Sequence, residues 1–168
     1  MTTSLYQTSI PAFVKSLTAL SAILDKMAAD ASARNVSPDV LLATRLFPDM
    51  FPLSRQIQLA TDHSNNAAAR LGGGEAPKFS NDEVSFDQLK ARLAASIAFQ
   101  KSVTAAQTEG ADDKEFGIRR GGETRPMSGR DYVVHFALPS FYFHVTTAYA
   151  ILRSCGVPLG KNDYLGPL

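Results

Sequence analysis

Three histidines have the widest chemical reach in this chain: His63, His135 and His144. A neutral imidazole binds zinc or nickel, takes up a proton, or pairs with polar groups. Gathering several on one ion requires a spacing that sets them on one face of an element, such as four residues apart on a helix. His135 and His144 are nine apart. Nine steps of ~100° turn by ~180°, so on a straight helix the two rings face opposite sides. The positions four before and four after His144 are Ser140 and Ala148, and the position four after His135 is Pro139. The spacing therefore predicts no chelating pair in this region. Asp62, next to His63, could orient its ring or act as an oxygen ligand; a solvated carboxylate on a helix edge is the plainer expectation.

Other reactive groups give weaker signals. Cys155 lies at an expected helix C-terminus, where the negative end of the helix dipole disfavours a thiolate. Gly-x-Ser-x-Gly does not occur, so no strand-turn-helix serine nucleophile is indicated. Gly72-Gly73-Gly74 follows a helical segment and lacks the Lys-Ser/Thr of a phosphate loop. Of the 15 Tyr and Phe residues, Tyr132, Phe136, Phe141, Tyr142, Phe143 and Tyr149 fall within one short stretch. They could line an apolar pocket with the Tyr142 and Tyr149 hydroxyls as polar handles, or simply fill a core. His135 and Asp62 would border such a pocket. Arg119, Arg120 and Arg125 form a basic patch that could dock an anion or an acidic partner; a solvated edge is the alternative.

These groups must be positioned by helices. Phe13, Leu17, Leu20, Leu24, Met27 and Ala31 step by four and three, the stripe of an amphipathic helix within Ser4 to Ala31. Pro11 suits the first turn of a helix capped near Ser9, with the preceding residues forming a separate turn. Ser37-Pro38-Asp39 opens a short helix with Ser37 as its cap. A longer one runs from about Pro48 to Leu71 on Leu53, Ile57, Ala60, Ser64, Ala67 and Leu71, and the three glycines end it. Ser85 and Gln88 form a capping box for a helix with Phe86, Leu89, Leu93, Ile97 and Val103 on its buried side, fading near Thr108-Glu109-Gly110. Gly121-Gly122 is expected to turn a β-hairpin over residues 115–127. The last helical region runs from about Gly129 to Cys155, with a kink at Pro139 that frees the His135 carbonyl.

The chain has 168 residues with 17 Lys+Arg against 16 Asp+Glu, a net charge of +1. Its composition is that of one ordinary globular domain over residues 1–168, and near-neutral charge argues against a nucleic-acid binder. No stretch approaches ~18 uninterrupted apolar residues, so no membrane span is expected. The opening Met1-Thr2-Thr3-Ser4-Leu5 lacks a basic region followed by an apolar run, so no secretory signal is expected. One cysteine forms no internal bridge, which fits a cytoplasmic location.

The run Leu138-Pro139-Ser140-Phe141-Tyr142-Phe143-His144-Val145-Thr146-Thr147-Ala148-Tyr149-Ala150-Ile151-Leu152-Arg153 is distinctive. So are the closing Gly156-Val157-Pro158-Leu159-Gly160-Lys161-Asn162-Asp163-Tyr164-Leu165-Gly166, the opening Ser4-Leu5-Tyr6 and Pro48-Asp49-Met50-Phe51-Pro52-Leu53. Together they resemble the family known as domain of unknown function 1993, grouped with the DinB/YfiT-like helical bundles. The resemblance implies an all-α, up-down four-helix bundle, with a small hairpin between the third and fourth long helices and a kinked last helix. It also implies a homodimer. Relatives of this type bind a divalent metal through one histidine of the second long helix and a His-x-x-x-His pair of the last, and some act as hydrolases or thiol transferases. His63 and His144 match two of those positions, and the pair is missing its partner. The leading expectation is a protein without an intact metal site that binds a small ligand in an aromatic pocket. The alternatives are a zinc- or nickel-dependent hydrolase or thiol transferase, and an adaptor that uses the basic hairpin.

Overall fold

The computed structural model describes residues 4–167. The chain is mostly helical, with one two-stranded antiparallel sheet. Its helices are α1 (Leu5–Ala33), α2 (Pro38–Ala43), α3 (Leu53–Gly72), α4 (Phe86–Ser102), α5 (Gly129–Asp131), α6 (Leu138–Ser154) and α7 (Lys161–Leu165). Strands β1 (Glu115–Arg120) and β2 (Glu123–Ser128) lie between α4 and α5. A short 3-10 turn, Ala106–Thr108, precedes β1, and a π-helical stretch, Tyr132–Ala137, joins α5 to α6. Among the described residues no helix is long and apolar enough to cross a membrane.

The apolar stripes read from the sequence all point inward. Phe13, Leu17, Leu20, Leu24, Met27 and Ala31 of α1 are buried, as are Leu53, Ile57, Ala60, Ala67 and Leu71 of α3. They join Leu89 and Leu93 of α4 and Phe141, Val145, Ala148 and Leu152 of α6 in one hydrophobic cluster. Phe13 meets Phe141 edge to face at 4.8 Å between ring centroids. Helix α3 packs on α4 and on α6, and α1 packs on α4 and α6. The site therefore rests on α3, which has a different neighbour on each side.

Several helix ends differ from the expectations. Helix α1 starts at Leu5, not near Pro11. Ser4 and Gln7 form a full capping box there, and the Ser9 hydroxyl donates to the Leu5 carbonyl at 2.7 Å, inside the helix. Pro11 therefore sits within α1. It removes one amide donor, while Leu5 and Ile10 on the turns before it are buried and hold those turns to the core. Ser37 stands at the N-terminus of α2 without making a side-chain cap. Helix α3 begins at Leu53, since the paired prolines Pro48 and Pro52 flank a turn over 44–52, and the Leu53 amide donates back to the Thr44 carbonyl. Gly73 closes α3 with φ +74°, and the Ser85–Gln88 capping box opens α4 as expected.

The hairpin turns at Gly121 (φ +60°) and Gly122 (φ +88°), both in the left-handed region that a two-residue turn of this type requires. Gly129 is needed for a different reason. A Cβ there would lie 1.8 Å from the Ala111 carbonyl oxygen, so only glycine lets the chain pass from β2 into α5.

The kink expected at Pro139 takes the form of the π stretch. The Leu138 amide donates to the Val133 carbonyl five residues back. Pro139 then falls in the first turn of α6, where its missing amide costs little. The irregularity is placed N-terminal to the proline.

A polar seam joins α3 to α4. The Arg92 side chain is 1% exposed. Its guanidinium donates to Thr61 Oγ1 (2.6 Å), to Glu83 (2.8 Å), to the Gln58 carbonyl (3.3 Å) and to Asp62, and it lies 4.2 Å from the centre of the Phe79 ring. Further along, Asn65 donates to Ser96 Oγ and Gln100 donates to Asn65. Burial works against ionisation of Glu83. The hydrogen bonds and charge of Arg92, with the Gln58 amide, outweigh it and hold the carboxyl below its ordinary value. Arg92→Met would leave Glu83 and Asp62 without their cation. We expect a loss of about 3 kcal/mol in urea unfolding at neutral pH. A depressed carboxyl stabilises fully above its ordinary value of 4.5, and this is lost as pH falls through the lower folded value. The Arg92→Met variant should therefore show less acid dependence below that point than the parent.

Candidate functional site

Successive residues on a helix diverge by ~100°, so Asp62 and His63 leave α3 in different directions. Asp62 is held by Arg92 of α4. His63 turns to α6. Gln56, Ala60, His63 and Ala67 step by four, three and four, and share one face of α3. On the facing helix stands His144. The His63 and His144 rings stack with centroids 5.3 Å apart and planes 14° from parallel.

Gln56 organises this pair. Its side-chain Nε2 donates to the Phe51 carbonyl at 3.0 Å, which fixes the amide orientation. Its Oε1 then lies 2.7 Å from His144 Nδ1. An amide oxygen only accepts, so the network assigns the proton of neutral His144 to Nδ1. The Nε2 lone pair is left as the free acceptor. Burial, the neighbouring His63 ring and the Arg55 charge all oppose a second proton, and the His144 pKa falls from 6.5 to about 4. Burial also lowers His63, against an opposing pull from the Asp62 charge. Both rings are thus neutral near pH 7.

His144 borders a cleft of about 350 Å³ with His135, Phe136, Pro139, Ser140 and Phe143. Phe143 stands edge-on to His144 at 5.2 Å, and Phe136 stands edge-on to His63 at 5.9 Å. A second cavity of about 450 Å³, lined by Ile118, Arg125, Pro126, Met127, His135 and Phe136, adjoins through the two residues they share. Such an arrangement can hold an apolar body and accept one hydrogen bond at His144.

The structure separates several residues that the sequence grouped. The His135 side chain is 68% exposed and lies 3.9 Å from Asp131, apart from the stacked pair. Asp62 neither orients His63 nor stands free, because a buried guanidinium is the stronger partner for a carboxylate. The aromatic stretch divides around the helix. Tyr149 packs on Tyr164 and Tyr142 packs on Phe141, whereas Phe136 and Phe143 flank the histidines. Positions 142 and 149 are two turns apart, and position 144 lies on the other side. The expected pocket with two tyrosine hydroxyls is therefore replaced by a cleft of Phe and His. In the hairpin, Ile118 pairs with Arg125 and Arg119 pairs with Thr124, so Arg119 and Arg125 lie on opposite faces. The Arg120 side chain lies outside the described part of the structure.

Sequence reasoning missed Gln56, Arg55 and Arg92. Gln56 was discoverable, since it precedes His63 by seven residues, two turns on the same face. Arg92 interrupts the stripe Leu89, Leu93 and Ser96, a position where a charge calls for a partner.

A three-imidazole chelate does not fit these donors. His63 and His144 supply two rings, Asp62 is committed to Arg92, and among the described residues no group of three or more His, Cys, Asp or Glu converges.

The mostly helical architecture with one small hairpin is that of a DinB-like protein. The chain is similar to a DinB family member protein from Shewanella denitrificans, known from a crystal structure at 1.83 Å resolution. The two are 37% identical with a TM-score of 0.92, over 98% of this chain and 93% of that one. Residues 5–165 match the family described as Domain of unknown function (DUF1993), and the chain belongs to that family. Among curated proteins, none matches the chain.

The depressed histidines make stability pH-dependent. Above pH 6.5 both folded and unfolded His144 are neutral. Below it the unfolded chain binds the proton first, so stability falls as pH drops from 6.5 towards about 4. Urea unfolding across this window should show that decline, and His144→Phe should flatten it, leaving the smaller contribution of His63. NMR titration should find the His144 ring still neutral at pH 6.

Proposed function

We propose that this protein binds a small ligand in the cleft beside His144, without a three-histidine metal chelate. The observation that carries this reading is the fixed tautomer of His144. Gln56, itself tied to the Phe51 carbonyl, holds the proton on Nδ1 and leaves Nε2 to accept from a ligand, in a cleft bordered by Phe136 and Phe143. Apolar walls with few polar groups are the usual make-up of a small-molecule site. On this reading the long helices α1, α3, α4 and α6 form an up-down bundle in one domain, supported by their mutual packing around a single hydrophobic cluster. The protein pairs as a homodimer, a reading favoured by the exposed Phe47 and Phe51 side chains.

The competing reading is a divalent-metal hydrolase or thiol transferase. The convergence of His63 and His144 favours it. Metal analysis of protein purified without chelator or His-tag separates the two. We expect no stoichiometric ion and no change in melting temperature with zinc or nickel. A stoichiometric ion that is lost in His63→Ala would overturn the proposal. For the cleft itself, phenol offers one hydroxyl and one ring. Its titration into isotope-labelled protein should move the His144 ring signals and the Phe136 and Phe143 amides, and His144→Phe should weaken binding by about three- to tenfold. Light scattering on a sizing column should find a dimer; a monomer at every concentration removes that part of the proposal.

A further inference from the structure

We propose that the ligand is a small organic anion with a ring-bearing apolar body, its body lying against Phe136 and its anionic end at Arg125. The inference rests on the cleft reading above, in which a hydroxyl of the ligand donates to His144, and adds the chemical class of the ligand's other end.

The cavity on the hairpin side is built from two kinds of surface. Ile118, Pro126, Met127 and Phe136 give apolar walls, and Arg125 and His135 supply the polar groups. The walls are fixed in advance. Arg70 of α3 donates to the Gly117 carbonyl at 3.4 Å and sits over the Phe116 and Tyr132 rings at 5.9 and 5.4 Å. This ties the hairpin to α3 and to the π stretch. Phe136 is held between the Tyr132 and His63 rings, with centroids 5.9 Å away in each case. A ring set in place by its neighbours offers contact area without further loss of freedom on binding.

Among the described residues lining this cavity, Arg125 carries the permanent positive charge. Its partner is Glu123, and the two side chains are 78% and 68% exposed. An ion pair so open to water is weak, and its guanidinium can exchange one carboxylate for another. The planar guanidinium then offers two parallel donors to a carboxylate or sulfonate. Arg125 shares the hairpin face of Ile118, so its stem starts on the cavity side. Among the described residues Glu123 is the acidic group paired with this cation, and it competes with the ligand.

The test compares phenylbutyrate with the uncharged phenylbutanol by NMR titration of the whole chain. The expected result is that phenylbutyrate moves the Ile118, Met127 and Phe136 amides and binds about three- to fivefold more tightly than the alcohol. Arg125→Gln should make the two equal, and Glu123→Gln should tighten the acid severalfold. Both variants are on the exposed hairpin, and the spectrum itself reports that the fold is retained. Equal binding of the two probes to the parent, or an unchanged preference in Arg125→Gln, would overturn the anion assignment while leaving phenol binding at His144 intact. Shifts confined to the exposed Phe47 and Phe51 region would overturn the location. Absence of any shift at His144 or Phe136 with phenol and with both phenyl probes would bring down the cleft reading itself.

Discussion

The most constrained group in this structure is the Arg92 guanidinium. Removing a permanent charge from water is costly, and the cost is met only where donors find acceptors on every side. Arg92 finds Thr61, Gln58 and Asp62 on α3, Glu83 on the connection before α4, and the face of Phe79. These partners admit one rotation of α3 about its axis relative to α4. A turn of α3 by one residue would withdraw Thr61 and Asp62 together and leave the cation unpaired. The same rotation decides where the next residue points. With Asp62 directed to α4, His63 is directed to α6, and the stacked pair follows.

Stacking two imidazoles in a half-buried cleft has its own electrostatic consequence. Burial disfavours charge on both rings, and the His63 ring further disfavours charge on His144. Neutral imidazoles are good acceptors, which suits either a metal or a hydrogen-bonding ligand. What separates these outcomes is the rest of the donor set. The neighbours of the pair are a carboxamide and two phenyl rings, and the nearest carboxylate is neutralised by Arg92. A chelate needs lone pairs converging on one point. This cleft instead offers one directed acceptor among apolar surfaces.

The helices and the hairpin were legible because each depends on local chemistry. A stripe at steps of four and three, a Ser-x-x-Gln capping box and two consecutive glycines act over a few residues. They set the end of α3, the start of α4 and the hairpin turn, whereas α3 starts five residues later than Pro48 and α4 ends at Ser102, short of Thr108. The misreadings concern competition between a local signal and burial. Pro11 resembles a helix start, but Ser4 caps the helix earlier and the buried Leu5 and Ile10 carry it through the proline. The site was legible only in part. The spacing predicts His135 and His144 on opposite sides, yet both border the cleft, because the π stretch alters the rotation between them. The meeting of His63 with His144 depends on the rotation of α3. That rotation is set by Arg92, a residue 29 positions beyond His63 in the sequence. No periodicity carries this information, because it resides in the pairing of one charge across two helices.

The hairpin poses a related question, since an isolated pair of strands is barely stable in water. It is held here from one side. Ile118 is buried, Phe116 packs edge-on to Tyr132 at 5.6 Å, and Arg70 reaches across from α3 to lie over both rings. At the base, Gly129 lets the backbone pass close to Ala111. The π stretch contributes Tyr132 and Phe136 from a segment with one more residue per turn than the α-helices around it. The two rings of this short segment serve two surfaces, Tyr132 against the hairpin and Phe136 against the histidines. The contacts that keep the hairpin folded are therefore the same ones that wall the cavity. Loosening the hairpin would remove Ile118 and Met127 from the cavity while leaving the Arg92 seam intact. The fold thus combines a rigid seam that aims His63 with a separately anchored wall that completes the cleft.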